Sequence, residues 1–232
     1  MNKYLDPKKY IDFTIRKIKS WTSNLENKGE RVDIFNNGNI QLLTQNDKCH
    51  LARYEFVASY IPEGSIVGDF ACGTGYGTIM LAKKAMSVTG VDIDATVISH
   101  IAKRYKSFSN ITFVEKNLLN IDYKDVFTHI VSFETIEHFS EEDILTLLTI
   151  YKRALASGGK VIFSTPYMQE KSNQAVKMGF HKTFNISEEK IQLWLQKTGF
   201  TIEKFYYQKY STHSLYPHLF KKDFIVCIAV KN

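Results

Sequence analysis

The sequence is short of several things. Its three cysteines, Cys49, Cys72 and Cys227, are odd in number, scattered and without Cys-x-x-Cys spacing. That excludes a disulfide-stapled scaffold, argues against a zinc ribbon and fits reduced thiols in a cytoplasmic protein. No run approaches the roughly 18 apolar residues that cross a bilayer, so no membrane span is expected. The opening Met1-Asn2-Lys3-Tyr4-Leu5-Asp6 has no apolar h-region, and no export signal is expected. Repeats and low-complexity tracts are missing. None of the seven histidines pairs with another four positions on across an acid, so no metal is expected.

What is present is ordinary in bulk. Hydrophobic residues make up 44% of 232 and charged residues 23%, which suits one domain with accessories and a large core. The net charge of +6 would suit nucleic acid, but the lysines run along the whole chain and the dense clusters alternate with acids. Lys8, Lys9, Arg16, Lys17 and Lys19 therefore read as the solvated face of a helix, with docking of an anionic substrate as the sharper alternative.

The informative stretch is Val67-Gly68-Asp69-Phe70-Ala71-Cys72-Gly73-Thr74-Gly75-Tyr76-Gly77. An apolar run meets an aspartate, then a loop rich in glycine, then a helical pattern from Thr78. Such glycines turn the backbone sharply and bring bare N–H groups against a flat or anionic ligand. About 20 residues on, Val88-Thr89-Gly90-Val91-Asp92 ends a second apolar run in an acid, where a Rossmann-type site holds a ribose. Loop and acid together point to a nucleoside-containing cofactor. They do not separate a nicotinamide dinucleotide from other nucleosides, although the glycines stop short of a full Gly-x-Gly-x-x-Gly because Thr78 takes the third place.

Periodicity places the elements. Ile11, Ile15, Ile18 and Trp21 predict a helix that Asn36-Asn37-Gly38-Asn39 follows and breaks. A second helix is expected from about Asp47 to Tyr60, with Leu51, Tyr54, Val57 and Ala58 inward and Pro62-Glu63-Gly64 ending it. Strands are expected at Ile66–Phe70, Ser87–Val91, Ile111–Val114, Thr128–Phe133 and Val161–Ser164. Between them fall helices at Gly77–Lys84 and Ala95–Ser107, and one that Ser140-Glu141-Glu142-Asp143 caps and Ser157-Gly158-Gly159 stops. After an irregular piece over Thr165–Asn185 come a helix at Ser187–Thr198, ended by Gly199, and strands at Phe200–Tyr206 and Phe224–Val230. This alternation calls for an α/β fold with a mostly parallel sheet covered on both faces. The last two strands, with only a loop between them, should run antiparallel.

Taken together, these motifs resemble the class I S-adenosylmethionine-dependent methyltransferases over roughly Leu51 to Tyr206. The resemblance implies a Rossmann-like sheet with an antiparallel strand at its C-terminal end. It divides the chain into an N-terminal helical cap (1–62) and a cofactor-binding catalytic domain (63–232), with an acceptor-side insertion at about 166–186. It implies S-adenosyl-L-methionine as cofactor, S-adenosyl-L-homocysteine as product, and contacts from Asp69, Ala71, Cys72, Gly73, Gly75, Tyr76, Asp92, Ile93, Asn117, Leu118 and Phe133. Asp92 takes the ribose, Ile93 lies against adenine, Asp69 orients the methionine ammonium or caps the loop's N–H groups, and Tyr76 covers the methionine portion. The family usually has glycine at Ala71, a change of one methyl group, and often an aspartate where Asn117 stands; the asparagine oxygen can still accept from an amine.

Ile130-Val131-Ser132-Phe133-Glu134-Thr135-Ile136-Glu137-His138 matches the family's segment bordering the methyl group and the acceptor. Phe180-His181-Lys182-Thr183-Phe184 matches its lead-in to the penultimate helix. Arg53-Tyr54, Gly75-Tyr76-Gly77 and Ser164-Thr165-Pro166 are similar to small enzymes of bacterial capsule and surface-polysaccharide pathways. That implies O-methylation of a sugar hydroxyl or a sugar-attached phosphate-type group, by a monomer or homodimer acting on a small acceptor, with an anionic one among the candidates. His138 is the first candidate for the base, His181 the second, and Glu134 a candidate contact to the acceptor or the cofactor's amino group. His129 reads as packing, Glu137 as surface, and Cys72 as a buried spacer. Tyr4, Tyr10, Trp21 and Arg53-Tyr54 are candidates to line the approach. Methylation of RNA or of another small molecule is the alternative, although the Asn/Asp-Pro-Pro-Tyr/Phe element of base methylation is missing. A non-enzymatic cofactor sensor is a third class.

Overall fold

The computed structural model describes residues 44–172 and 181–232. The expected helix around Ile11–Trp21, the basic face at Lys8–Lys19, Tyr4, Tyr10 and part of the insertion lie outside the described residues.

Helix α1 (Gln45–Tyr60) opens with a reciprocal cap: Thr44 accepts from the Asp47 N–H, and Asp47 accepts from the Thr44 N–H. It ends at Ile61, which must be extended because Pro62 follows. Strand β1 (Ile66–Phe70), helix α2 (Tyr76–Ala82), β2 (Ser87–Asp92), α3 (Ala95–Arg104) and β3 (Ile111–Glu115) come next. A single 3-10 turn at Leu118–Asn120 leads to β4 (Phe127–Phe133), and another at Ile136–His138 leads to α4 (Glu141–Ala154). The chain closes with β5 (Leu155–Pro166), α5 (Glu188–Thr198), β6 (Phe200–Gln208), β7 (Leu215–Tyr216) and β8 (Phe224–Lys231).

Caps fix the helix starts. Asp94 accepts from the Thr96 and Val97 N–H groups at α3, Ser140 from Asp143 at α4, and Ser187 from Lys190 at α5. Helix α4 also carries Glu141, Glu142 and Asp143 in its first turn and Lys152 and Arg153 in its last, matching its dipole. Gly199 ends α5 in the left-handed conformation, as its position predicted.

One expectation fails. Ser157-Gly158-Gly159 does not stop α4, which already ends at Ala154. The segment belongs to β5, where Gly158 (φ 69°) takes up a bulge as the pairing shifts from Phe127 opposite Leu155 to His129 opposite Lys160. A glycine pair reads alike as a helix stop or a strand bulge, and pairing with β4 decides.

The eight-stranded sheet has the order β3-β2-β1-β4-β5-β8-β6-β7. Strands β3, β2, β1, β4 and β5 are parallel, whereas β8 runs antiparallel to both β5 and β6. Alternate side chains feed two cores. Phe70, Ile130 and Phe163 pack with α4 and α5 (Tyr151, Trp194), while Val67, Val131 and Ile162 pack with α1, α2 and α3 (Val57, Ile79, Ile101). Strand order reverses at β1–β4. In open α/β sheets the crevice outside the strands' C-terminal ends at that reversal is where ligands bind.

Candidate active site

The C-terminal ends of β1, β2 and β4 gather most of the acidic candidates along one rim. After β1 the chain turns at once: Ala71 has φ 64° and Gly75 has φ 75°. The Ala71 conformation corrects the expectation that alanine there is merely a methyl larger than glycine, because a side chain in this region is strained. Cys72 donates its N–H to Val91 O at 2.9 Å, which ties the loop to β2. The Gly73 N–H donates to Asp92 Oδ2 at 2.9 Å, and the Asp94 N–H donates to Asp92 Oδ1 at 3.1 Å. Asp92, not Asp69, therefore ties down the loop's N–H. A carboxylate offers about four acceptor sites, and these two backbone ties fix its orientation. Beside it, Ile93 is 64% exposed, an aliphatic side chain held out at the rim. Where a Gly73 side chain would stand there is only open space.

Asp69 lies behind this loop and is fully buried. It accepts from the Tyr54 hydroxyl at 2.9 Å and from Thr78 Oγ1 at 2.6 Å. Burial pushes its carboxyl up to about 6, against the pull of the Thr78 and Tyr54 hydrogen bonds and with a further rise from Asp92. Tyr54 in turn packs edge-on against Tyr76 (5.2 Å between centroids) and Phe133 (5.0 Å). A Cβ on Gly77 would sit 2.1 Å from the Tyr54 ring, so only glycine lets α1 lie this close to α2. Tyr76, Phe133 and Leu118 are buried, and Asn117 accepts from the Leu119 N–H at 2.9 Å to start its 3-10 turn. Cys72, like Cys49 and Cys227, is a buried unpaired thiol.

The β4–β5 side of the rim is built from side chains. Glu134 follows β4 with φ 47°. Its carboxylate receives Ser164 Oγ at 2.6 Å and Arg53 Nη1 at 2.8 Å. Arg53 is fully buried, donates Nε to Gln208 Oε1 (2.8 Å) and Nη1 to Ser164 Oγ (3.1 Å), and stacks 4.3 Å above the Phe224 ring. Gln208 passes the network on to Cys49 O at 2.9 Å and to His213 O. This network went unread in the sequence, which set Tyr54 inward on its helix and took Arg53-Tyr54 as a resemblance motif and as approach-lining candidates. A signal did exist: Cys49, Arg53 and Val57 recur every four residues, so the arginine stands on the apolar stripe of α1.

Glu137 is a correction. Expected at the surface, it is 1% exposed because the 3-10 turn rolls it inward. Burial and then the Glu134 charge push its carboxyl well above the usual range, with its backbone, Thr165 and Arg53 opposing only in part. His138 and His181 come together, their ring centroids 5.0 Å apart and edge to face. His129 is buried with Nδ1 3.0 Å from Thr128 Oγ1, and burial lowers it to about 4. It sits away from the rim, in keeping with packing.

Residues 67–159 match the family described as a methyltransferase domain. That stretch, from β1 to the middle of β5, is similar to a methyltransferase domain. The chain is similar to a protein of Mycobacterium tuberculosis named "Probable S-adenosylmethionine-dependent methyltransferase", 30% identical over 99 residues, which is 42% of this chain and 34% of that one. It also resembles a demethylmenaquinone methyltransferase of Bacillus licheniformis, 27% identical over 106 residues, covering 44% of this chain and 45% of the other. The chain thus spans about a third of the length of the first curated relatives it matches. Among solved structures, the N-methyltransferase NodS of Bradyrhizobium japonicum with S-adenosyl-L-homocysteine superposes with a TM-score of 0.63 at 16% identity, over 81% of this chain and 88% of that one. That likeness is one of fold. Among the described residues, no helix is long and apolar enough to cross a membrane.

Proposed function

We propose that the chain transfers the methyl group of S-adenosylmethionine to an oxygen of a small sugar-derived acceptor, in the assembly of a surface polysaccharide. The observation that carries the cofactor half is the tied Asp92 carboxylate beside open space at Gly73 and the exposed Ile93. These features fit an adenosine: a fixed acceptor for two ribose hydroxyls, bare backbone for close approach, and an apolar face for a flat base. Tyr54 and Asp69 fit its amino-acid end, since a buried carboxylate poised near neutrality gains from a nearby ammonium. When bound, the cofactor supplies an electrophilic methyl group on sulfur.

The chain's own residues orient the acceptor and receive its proton. His138 and His181 lie together beyond the end of β4, and a half-buried imidazole is the side chain suited to accept a hydroxyl proton near neutral pH. Glu134, held by Arg53 and Ser164, fixes the segment that carries His138. Holding oxygen and methyl carbon about 3–3.5 Å apart and in line supplies much of the rate. The sugar reading rests on Arg53-Tyr54, Gly75-Tyr76-Gly77 and Ser164-Thr165-Pro166, and on the net charge of +6, which suits an anionic acceptor.

A methyl-transfer screen with labelled S-adenosylmethionine against nucleotide sugars, surface glycans and RNA tests this. Label entering a glycan or nucleotide-sugar pool is the expected result. Label entering RNA alone overturns the acceptor, and tight S-adenosylhomocysteine binding with no label anywhere overturns the transfer.

A further inference from the structure

One group on the rim is left unsatisfied by everything above. Neither buried carboxylate oxygen of Glu137, nor the Thr165 hydroxyl beside it, makes a hydrogen bond of normal distance and angle, and Thr165 and Arg53 offset the burial only in part. A buried carboxylate in that state is unfavourable unless it is neutralised or meets a cation. Two imidazoles stand beside it. Glu137, His138 and His181 each present a ligand atom, and these three atoms lie within 4.8 Å of one another.

The fold brings them together on purpose-built contacts. The Lys182 and Thr183 N–H groups donate to Glu137 O at 2.8 and 3.1 Å, which pins the C-terminal part of the insertion against the 3-10 turn. That pinning delivers His181 beside His138. His181 Nδ1 meets Gln169 Oε1 at 2.7 Å. A carbonyl acceptor there puts the proton on Nδ1 and makes Nε2 the nitrogen with the lone pair. Metal-binding histidines are held in this way, their second nitrogen donating to a carbonyl or carboxylate.

We propose that Glu137, His138 and His181 form a binding site for a divalent first-row transition cation of the zinc, cobalt or manganese kind. Two imidazole nitrogens and one carboxylate oxygen suit these ions, whereas magnesium and calcium favour oxygen ligands throughout. Bonds of about 2.0–2.1 Å in a tetrahedral set bring ligand atoms to about 3.3 Å, so side-chain rotations of about 1 Å close the site from its present 4.8 Å span. Both histidines are half-buried, so the ion keeps positions open toward the crevice. On the methyl-transfer reading, the two imidazoles would then serve as ligands in place of acting as bases: an open position on the ion would bind the acceptor oxygen and lower the pKa of its proton, which would pass to solvent.

The test is a titration of the metal-stripped full chain with Co2+, read by visible absorption and calorimetry, beside His181→Ala and Glu137→Gln. One Co2+ per chain, displaced by Zn2+ and not by Mg2+, with affinity falling at least about tenfold in each variant, is the expected result. Thermal melting followed by circular dichroism checks folding, and the half-exposed His181→Ala decides the matter where Glu137→Gln does not fold. Equal Co2+ affinity in wild type and His181→Ala, or displacement by Mg2+ as readily as by Zn2+, overturns the site. S-adenosylhomocysteine affinity, measured on His181→Ala, separates the two readings: retained there, it leaves the cofactor proposal standing whichever way the metal titration falls.

Discussion

The two halves of the rim are made differently. Between β1 and β2, polar groups are satisfied locally: Asp92 by the Gly73 and Asp94 N–H groups, Asp69 by Tyr54 and Thr78. Most of those residues lie within one stretch of chain, from Asp69 to Asp94. Between β4 and β5, the partners come from far apart. Arg53 meets Glu134, Ser164 and Gln208, and His181 meets His138, while the side chains of Glu137 and Thr165 and one Arg53 nitrogen make no hydrogen bond of normal distance and angle. A site whose polar groups are complete positions a constant ligand. A site with buried groups still open awaits something that completes it.

The largest effect expected separates the halves by kinetics. His138→Ala should lower kcat by about 100-fold or more while S-adenosylhomocysteine affinity by calorimetry stays within about twofold. Wild-type turnover in this variant would move the proton acceptor elsewhere and break the contrast. Next comes stability: Arg53→Met strips the buried partner of Glu134 and should cost about 3 kcal/mol or more in chemical denaturation, with Glu134→Gln added on top restoring part of it. Denaturation midpoints unchanged in the single variant would mean that the network on the β4–β5 side carries no weight.

Asp92→Ala acts on the other half. Loss of charged hydrogen bonds to a ribose, together with release of the Gly73 N–H, should weaken S-adenosylhomocysteine binding by about 2–3 kcal/mol, roughly 30- to 150-fold. Unchanged affinity would empty the site of its main anchor.

Asp69 gives a pH signature of similar size. Its carboxyl is raised to about 6 when folded, so its contribution to stability is fully present below the unfolded value near 3.9 and is lost as pH rises through about 6. By linkage the loss is about 3 kcal/mol. Wild type minus Asp69→Asn should show this decline between pH 4 and 7 in urea melts, and parallel curves would mean that Asp69 is not buried in the way described. The smallest effect is at the left-handed Ala71. Ala71→Gly relieves about 1–2 kcal/mol of strain against about 0.5–1 of added chain entropy, so a gain of roughly 0.5–1 kcal/mol is expected. A loss would show that the alanine methyl packs usefully.

The same contrast explains what the sequence revealed. The glycine loop and Asp92 announce themselves because their geometry is local, and backbone turns need particular residues at particular steps. The antiparallel end of the sheet was legible too, since no helical pattern separates Phe200–Tyr206 from Phe224–Val230. The inward roll of Glu137, the Arg53 network and the meeting of His138 with His181 depend on tertiary contacts across tens of residues. No spacing rule names those partners; the four-residue recurrence of Cys49, Arg53 and Val57 shows only that Arg53 faces inward. Gly158 misled for a related reason, its bulge being settled by the neighbouring strand.

The Tyr54 ring resting on bare Gly77 ties the start of the chain's described part to the heart of the domain. A division at residue 62 follows the sequence, but it cuts across this latch. A fragment begun at residue 63 would leave Asp69 without its phenol and open a slot over α2. Anyone grafting the glycine loop into another scaffold would have to carry this tyrosine with it, so the smallest transferable unit is longer than the motif that advertises it.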